Sequence, residues 1–198
     1  MREPSEIVET IREIPEALYS TDIPWAYLES AFEDWEKYHG SVDFNPDFQR
    51  GHVWTKGQQI HFMENWLRGL VQGPGRVLQF NCPTWQRDKP TGDLPTGVQC
   101  IDGLQRLTAA RAFMAGEIKP FGFSLEELAQ TQYRLKNHLL FRFTVKVHEF
   151  THRKDILQYY LDINSGGTPH SDDELKRVRD LLAGEEVGQK LPKTEVTK

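Results

Sequence analysis

The chain has 198 residues, 38% of them hydrophobic and 27% charged, with a mean hydropathy of -0.60 and a formal net charge of -5. Such a composition builds one soluble globular domain of rather polar character and argues against a broad basic surface that coats nucleic acid. No apolar run approaches the roughly 20 residues of a membrane span, and the acidic, amphipathic start MREPSEIVETIREIPEAL is not a signal peptide, so a cytoplasmic protein with no membrane partner is expected.

Charge is unevenly spread: residues 1–47 are acid-rich, while the segments holding Arg50, Lys56, Arg68, Arg106 and Arg111 are locally basic and leave room for a confined cationic face. The two cysteines, Cys82 and Cys100, have no CxxC or Cys/His cluster around them. Reduced thiols in strands, and no structural zinc, are expected.

In chain order, the spacing predicts helices over 4–18 and 24–38, the second with Trp25, Leu28, Phe32 and Trp35 as a core-facing stripe. HGSVDFNPDFQRGHVWTKG is too rich in Gly, Pro, Asn and Asp for regular structure and leads into a helix over 58–68. GPGRVLQFNCP carries a turn and a short strand, WQRDKPTGDLPTG a polar excursion, and VQCI a second strand. A helix over 104–115 follows, then a helix opened by Ser124 with Glu127 as its capping-box partner. LLFRFTVKVHEF alternates as a strand with one buried face, THRKDILQYYLDIN reads as a helix stopped by SGGTP, and HSDDELKRVRDLLAG as a last helix. The expected architecture is a small α+β (or α/β) domain over residues 1–184, with a helical segment 1–40 and a frayed tail 185–198.

Three constellations carry chemistry. The first is Asp102-Gly103-Leu104-Gln105-Arg106, where a strand turns into a helix: unpaired N–H groups and the positive end of a helix dipole suit an anion, with phosphate the first suspect. There Arg106 can grip phosphate oxygens, and Asp102 can hold Mg²⁺ or accept a hydroxyl proton. The plainer alternative has Asp102 capping the helix and Arg106 paired with a surface acid. The second is the loop Phe48-Gln49-Arg50-Gly51-His52-Val53-Trp54, whose Gln49-Arg50 repeats the Gln-Arg pair; Trp54 or His52 can stack on a base, or Trp54 can anchor the core, and Lys56 adds a cation. The third is Asn164-Ser165-Gly166-Gly167-Thr168-Pro169, either a helix stop or the bare backbone of Gly166 and Gly167 approaching a ligand, with Asn164 and Ser165 supplying hydrogen bonds. No P-loop, GxGxxG, HExxH or GxSxG motif occurs.

In this order FNPDFQRGHVWTKGQQIHFMENWLRG, VQCIDGLQRLTAARAFMAG and LDINSGGTPHSDDEL resemble the ParB/sulfiredoxin-fold domain at the N-terminus of GmrSD-type and SspE-type restriction effectors, across roughly residues 43–180. The family signature DGQQR stands here as DGLQR, with Leu104 in place of the first glutamine. The resemblance implies a compact mixed domain that binds ATP or another nucleoside triphosphate with Mg²⁺ through Asp102, Gly103, Gln105 and Arg106, and that works on DNA. The sulfiredoxin reaction fits poorly, because its cysteine belongs in the phosphate-binding turn and this turn has none. The effectors carry a C-terminal HNH-type nuclease domain, and here the chain ends soon after residue 180, so a stand-alone version is expected.

The leading expectation is therefore an NTP-dependent phosphotransferase or NTPase. Arg106 and Arg50 hold phosphates, Asp102 holds Mg²⁺ or acts as general base, and Gln49 and Gln105 orient the γ-phosphate or acceptor. For a kinase the acceptor is a hydroxyl on a modified DNA base, such as 5-hydroxymethyluracil in phage DNA. The rival expectation is a non-catalytic DNA-binding or regulatory module of a restriction or anti-restriction system. A homodimer is possible, and a nuclease, without HNH, PD-(D/E)xK or clustered acids, ranks last.

Overall fold

The structure, a computed structural model, describes residues 3–11, 13–49, 51, 53–87, 89, 91–134, 140–165 and 172–190. Five strands form one mixed sheet in the order β1-β5-β3-β4-β2: β1 (Tyr19–Pro24), β2 (Val42–Asp43), β3 (Val77–Asn81), β4 (Val98–Asp102) and β5 (Arg142–His148). β1 and β5 pair antiparallel, as do β3 and β4, whereas β3/β5 and β2/β4 are parallel. Among the described residues the helices are α1 (Pro4–Ile11), α2 (Leu28–His39), α3 (Lys56–Leu67), α4 (Leu104–Met114), α5 (Leu125–Ala129), α6 (Arg153–Ser165) and α7 (Asp172–Lys190). The α+β expectation holds.

Strand alternation divides the interior in two. Leu78 and Phe80 of β3, Val98 and Cys100 of β4, and Phe143, Val145 and Val147 of β5 face the larger core, where they meet Trp25, Leu28, Phe32 and Trp35 at the spacing that marked them, with Met63 and Trp66 of α3 and Leu107 and Phe113 of α4. The opposite face is smaller: Ile101 packs with Phe48, Ile156, Leu157 and Tyr160, and α7 closes it through Val178. α4 is the central helix, with Leu104, Leu107, Ala109, Ala110, Ala112 and Phe113 all buried.

Several boundaries differ from the sequence reading. The first helix ends at Ile11, and Tyr19–Pro24, whose YSTDIP carries no buried position, is a strand because it pairs with β5 residue by residue. The stripe's helix is a 3-10 turn over Trp25–Tyr27 followed by α2. Two residues of the expected irregular loop, Val42–Asp43, pair with β4. α3 starts at Lys56, two residues before its predicted start, because Thr55 is the N-cap and forms a capping box with Gln58. The Ser124–Glu127 capping box is present, but its helix spans only Leu125–Ala129. α7 runs on to Lys190, into the segment read as tail. Cys100 lies in β4, while Cys82 falls just past the end of β3; both are buried free thiols. Among the described residues no helix is long and apolar enough to cross a membrane.

Candidate nucleotide site

The corner between β4 and α4 begins with a bulge. Gln79 of β3 opposes Asp102 while Phe80 opposes Cys100, so Ile101 is the extra residue on β4. Such an insertion bends the strand and re-aims the side chain that follows, here Asp102. Gly103 then adopts φ +107, and a Cβ there would lie 2.5 Å from Leu78 Cδ2 and 3.2 Å from Leu78 Cα. Both the backbone region and the lack of space call for glycine. Gly103, not Asp102, is the N-cap of α4, and it has no side chain with which to cap the first turn. That turn's N–H groups therefore open at the mouth of the corner with the positive end of the helix dipole.

Arg106, in the first turn of α4, pairs with Asp102 at the end of β4. Its Nη2 donates to Asp102 Oδ2 at 2.6 Å and to the Val77 carbonyl at 2.9 Å, and both side chains are partly exposed. Its Nε is buried with no hydrogen-bond partner. Both of these guanidinium bonds thus come from Nη2, and the Nε–H is an unmet donor inside the corner.

Gln105 joins the second constellation to the first. Its Oε1 accepts from the N–H groups of Val53 (3.0 Å) and Trp54 (3.1 Å), and its Nε2 donates to the Gly51 carbonyl at 2.6 Å. Gln49 donates from Nε2 to the Cys100 carbonyl of β4 at 2.7 Å. Both amides hold the loop to the corner. Arg50 and His52 lie outside the described residues. Trp54 is half-buried, with its ring 5.2 Å from Phe62 against the larger core, so it takes the anchor alternative; Lys56 is exposed at the start of α3.

In the third constellation Asn164 turns back along α6 and donates to the Tyr160 carbonyl at 2.7 Å, an arrangement internal to the helix. Gly166 and Gly167 lie outside the described residues. What α6 does bring to the corner is Tyr159, which the sequence reading passed over. Its hydroxyl donates to Gln79 Oε1 at 2.6 Å, and His148 Nε2 stands 3.3 Å from the same oxygen. Burial, followed by the nearby Asp102 carboxylate, pushes the Tyr159 phenol up to about 12. Burial, reinforced by Lys146, lowers His148 to about 4, so its ring is neutral near pH 7. Because Gln79 Oε1 only accepts, the neutral ring carries its proton on Nε2, and Nδ1 is left buried without a partner. A cavity of about 350 Å³ opens there between Ser20, Lys146, His148, Tyr159 and the stretch Ile14–Ala17. Gln79 and Tyr159 sit in ordinary strand and helix patterns, so no local signal marks them.

The Cys100 thiol, fully enclosed, is pushed up to about 12 by burial and then by Asp102. It is an inert core group rather than a nucleophile. Among the described residues no group of three or more His, Cys, Asp or Glu side chains is placed to hold a metal ion.

The family model described as "GmrSD restriction endonuclease, N-terminal domain" matches residues 30–179, which takes in the corner, the loop and α6. The chain belongs to this family. No curated protein and no solved structure matches the chain. The matched span begins inside α2, so β1, which completes one edge of the sheet, comes from the segment before it.

Proposed function

We propose that this GmrSD-family domain has a ParB/sulfiredoxin-like fold and binds a nucleoside triphosphate at the β4–α4 corner to transfer its γ-phosphoryl group, to a hydroxyl on DNA or to water. The observation that carries this reading is the placement of Gln105, whose three hydrogen bonds fasten the loop of residues 51–54 to the mouth of the Asp102–Arg106 corner. A helix N-terminus without a side-chain cap, a glycine that lets backbone approach closely, an acid and an arginine are the parts that phosphoryl transfer needs.

In this reading Arg106 and Arg50 hold the phosphate oxygens and Gly103 admits them to the backbone. Asn164, Gly166 and Gly167 contribute to nucleotide binding, His52 and Lys56 to DNA binding, and Trp54 anchors the loop on the core. Gln49 and Gln105 act by holding the loop in place. Asp102 is the residue that would hold Mg²⁺, an ion that asks few ligands of the protein and would supply positive charge to the phosphates. In transfer to DNA, the bond between the γ-phosphorus and its bridging oxygen breaks and a bond to the acceptor oxygen forms; where Asp102 serves as general base instead of metal ligand, it takes the acceptor's proton. A hydroxymethylated base such as 5-hydroxymethyluracil is the proposed acceptor. The family's description as part of a restriction endonuclease supports DNA as the wider substrate.

A second reading rests on the closed Asp102–Arg106 pair, which occupies both groups with each other. It makes the domain a non-catalytic DNA-binding or regulatory module whose cations meet backbone phosphates. The two are separated by incubating the protein with γ-labelled triphosphates, Mg²⁺ and DNA of differing base modification. Transfer of label to DNA or water, lost by about 100-fold or more in Arg106→Gln, supports phosphoryl transfer. DNA binding that needs no nucleotide and weakens steeply with salt, with no label released, supports the module instead.

A further inference from the structure

The loop that Gln105 holds from one side is held from the other by α7. Arg177 of α7 spreads its guanidinium over three consecutive backbone carbonyls: Nη1 donates to Asp47, and Nη2 donates to Phe48 at 2.9 Å and to Gln49 at 3.0 Å. Arg153 of α6 adds a bond to the Asp47 carboxylate at 2.6 Å and another to Glu185 of α7 at 3.0 Å, which ties α6, α7 and the loop together. The Phe48 side chain, fully buried, belongs to the cluster with Tyr160 and Val178. The backbone carbonyls of Asp47, Phe48 and Gln49 therefore depend on α7, whereas Gly51, Val53 and Trp54 are held by Gln105 of α4.

From this we infer that α7 is a brace for the ligand loop, with Arg177 as the positioning residue, and that occupancy of the β4–α4 corner and docking of α7 stabilise each other. The inference rests on the nucleotide reading above for the identity of the ligand, but the brace itself does not. A fork of charged donors on three adjacent carbonyls fixes the direction in which the chain leaves Gln49. Loss of the fork frees residues 47–49 to rotate, and they must then be ordered again at the expense of ligand affinity. Linkage makes the effect mutual: a ligand that favours the ordered loop favours docked α7 by the same factor.

Hydrogen exchange on the full chain tests this. In ligand-free protein, Arg177→Met is expected to speed exchange at the Gln49 amide, which donates to the Pro46 carbonyl, at least tenfold, with β3 and β5 amides unchanged. Lys176→Met, one position away on the exposed surface, is expected to leave the loop as it is. Arg177→Lys keeps the charge without the fork and is expected to fall between the two; it also serves if the methionine variant does not fold. In wild type, ATP with Mg²⁺ is expected to slow exchange along residues 175–185, and Arg177→Met to bind ATP at least tenfold more weakly. Unchanged loop exchange in both Arg177 variants overturns the brace. ATP that binds wild type and variant equally, or that leaves α7 exchange untouched, overturns the linkage. If wild type takes up no ATP, the functional reading fails, and the ligand-free exchange alone decides for or against the brace.

Discussion

Phe80 and Gln79 are neighbours on the central strand β3, yet they face two different kinds of interior. Phe80 is fully buried among rings, 5.7 Å from Phe32, 5.2 Å from Trp35 and 6.4 Å from Phe44. Gln79 faces α6, and its one carbonyl oxygen meets both the Tyr159 hydroxyl and His148 Nε2. Stability on the first face comes from apolar area and close packing, which are non-directional and spread over many residues. On the second it depends on a few directional bonds, each costly to leave unmade. The Asp102–Arg106 corner belongs with the second kind, because Asp102 is the strand partner of Gln79.

The comparison breaks most sharply at Phe80. Phe80→Ala is expected to lose about 4 kcal/mol of unfolding free energy through transfer and cavity costs, measured by urea denaturation. A loss near 1 kcal/mol would mean that the aromatic face is not the dominant core.

The polar face is next, through pH. His148 has its folded value lowered from 6.5 to about 4, with burial the main cause and Lys146 the second. The unfolded chain then binds more protons than the native one between these values. The stabilisation is fully present above pH 6.5 and is lost as pH falls through about 4, up to about 3 kcal/mol in order of magnitude. Denaturation at pH 7 and at pH 4.5 checks it, and His148→Gln is expected to flatten the slope in that window. An identical slope in the variant would contradict the neutral, buried ring.

The smallest effect sharpens the contrast. Gln79→Leu removes the shared acceptor from Tyr159 and His148 and is expected to cost about 2 kcal/mol. Adding Tyr159→Phe is expected to recover part of that loss, because a buried hydroxyl with no acceptor is removed as well. A double variant no better than the single one would show that the hydroxyl had found another partner.

Legibility in the sequence follows the same division. The Trp25, Leu28, Phe32, Trp35 stripe and the Ser124–Glu127 capping box were readable because both are patterns within a few residues of chain. β1 was not, since YSTDIP has no buried position and is a strand only through its ladder with β5. In the site, the corner Asp102-Gly103-Leu104-Gln105-Arg106 could be picked out as a strand-to-helix turn with anion character. That Gln105 is spent on a loop more than 50 residues away, that Arg106 closes onto Asp102, and that Tyr159 and Arg177 belong to the neighbourhood were not visible.

The sequence by itself determined the α+β class, the main helical and strand segments, the apolar stripe and the position of the phosphate-like corner, because hydrophobic period and turn chemistry act locally. Only the tertiary structure decided where the polar side chains spend their hydrogen bonds. The reason is physical: an amide or guanidinium satisfies itself with whichever carbonyl or N–H the fold brings within about 3 Å. For Gln105 and Arg177 those partners lie 52 and 129 residues away along the chain.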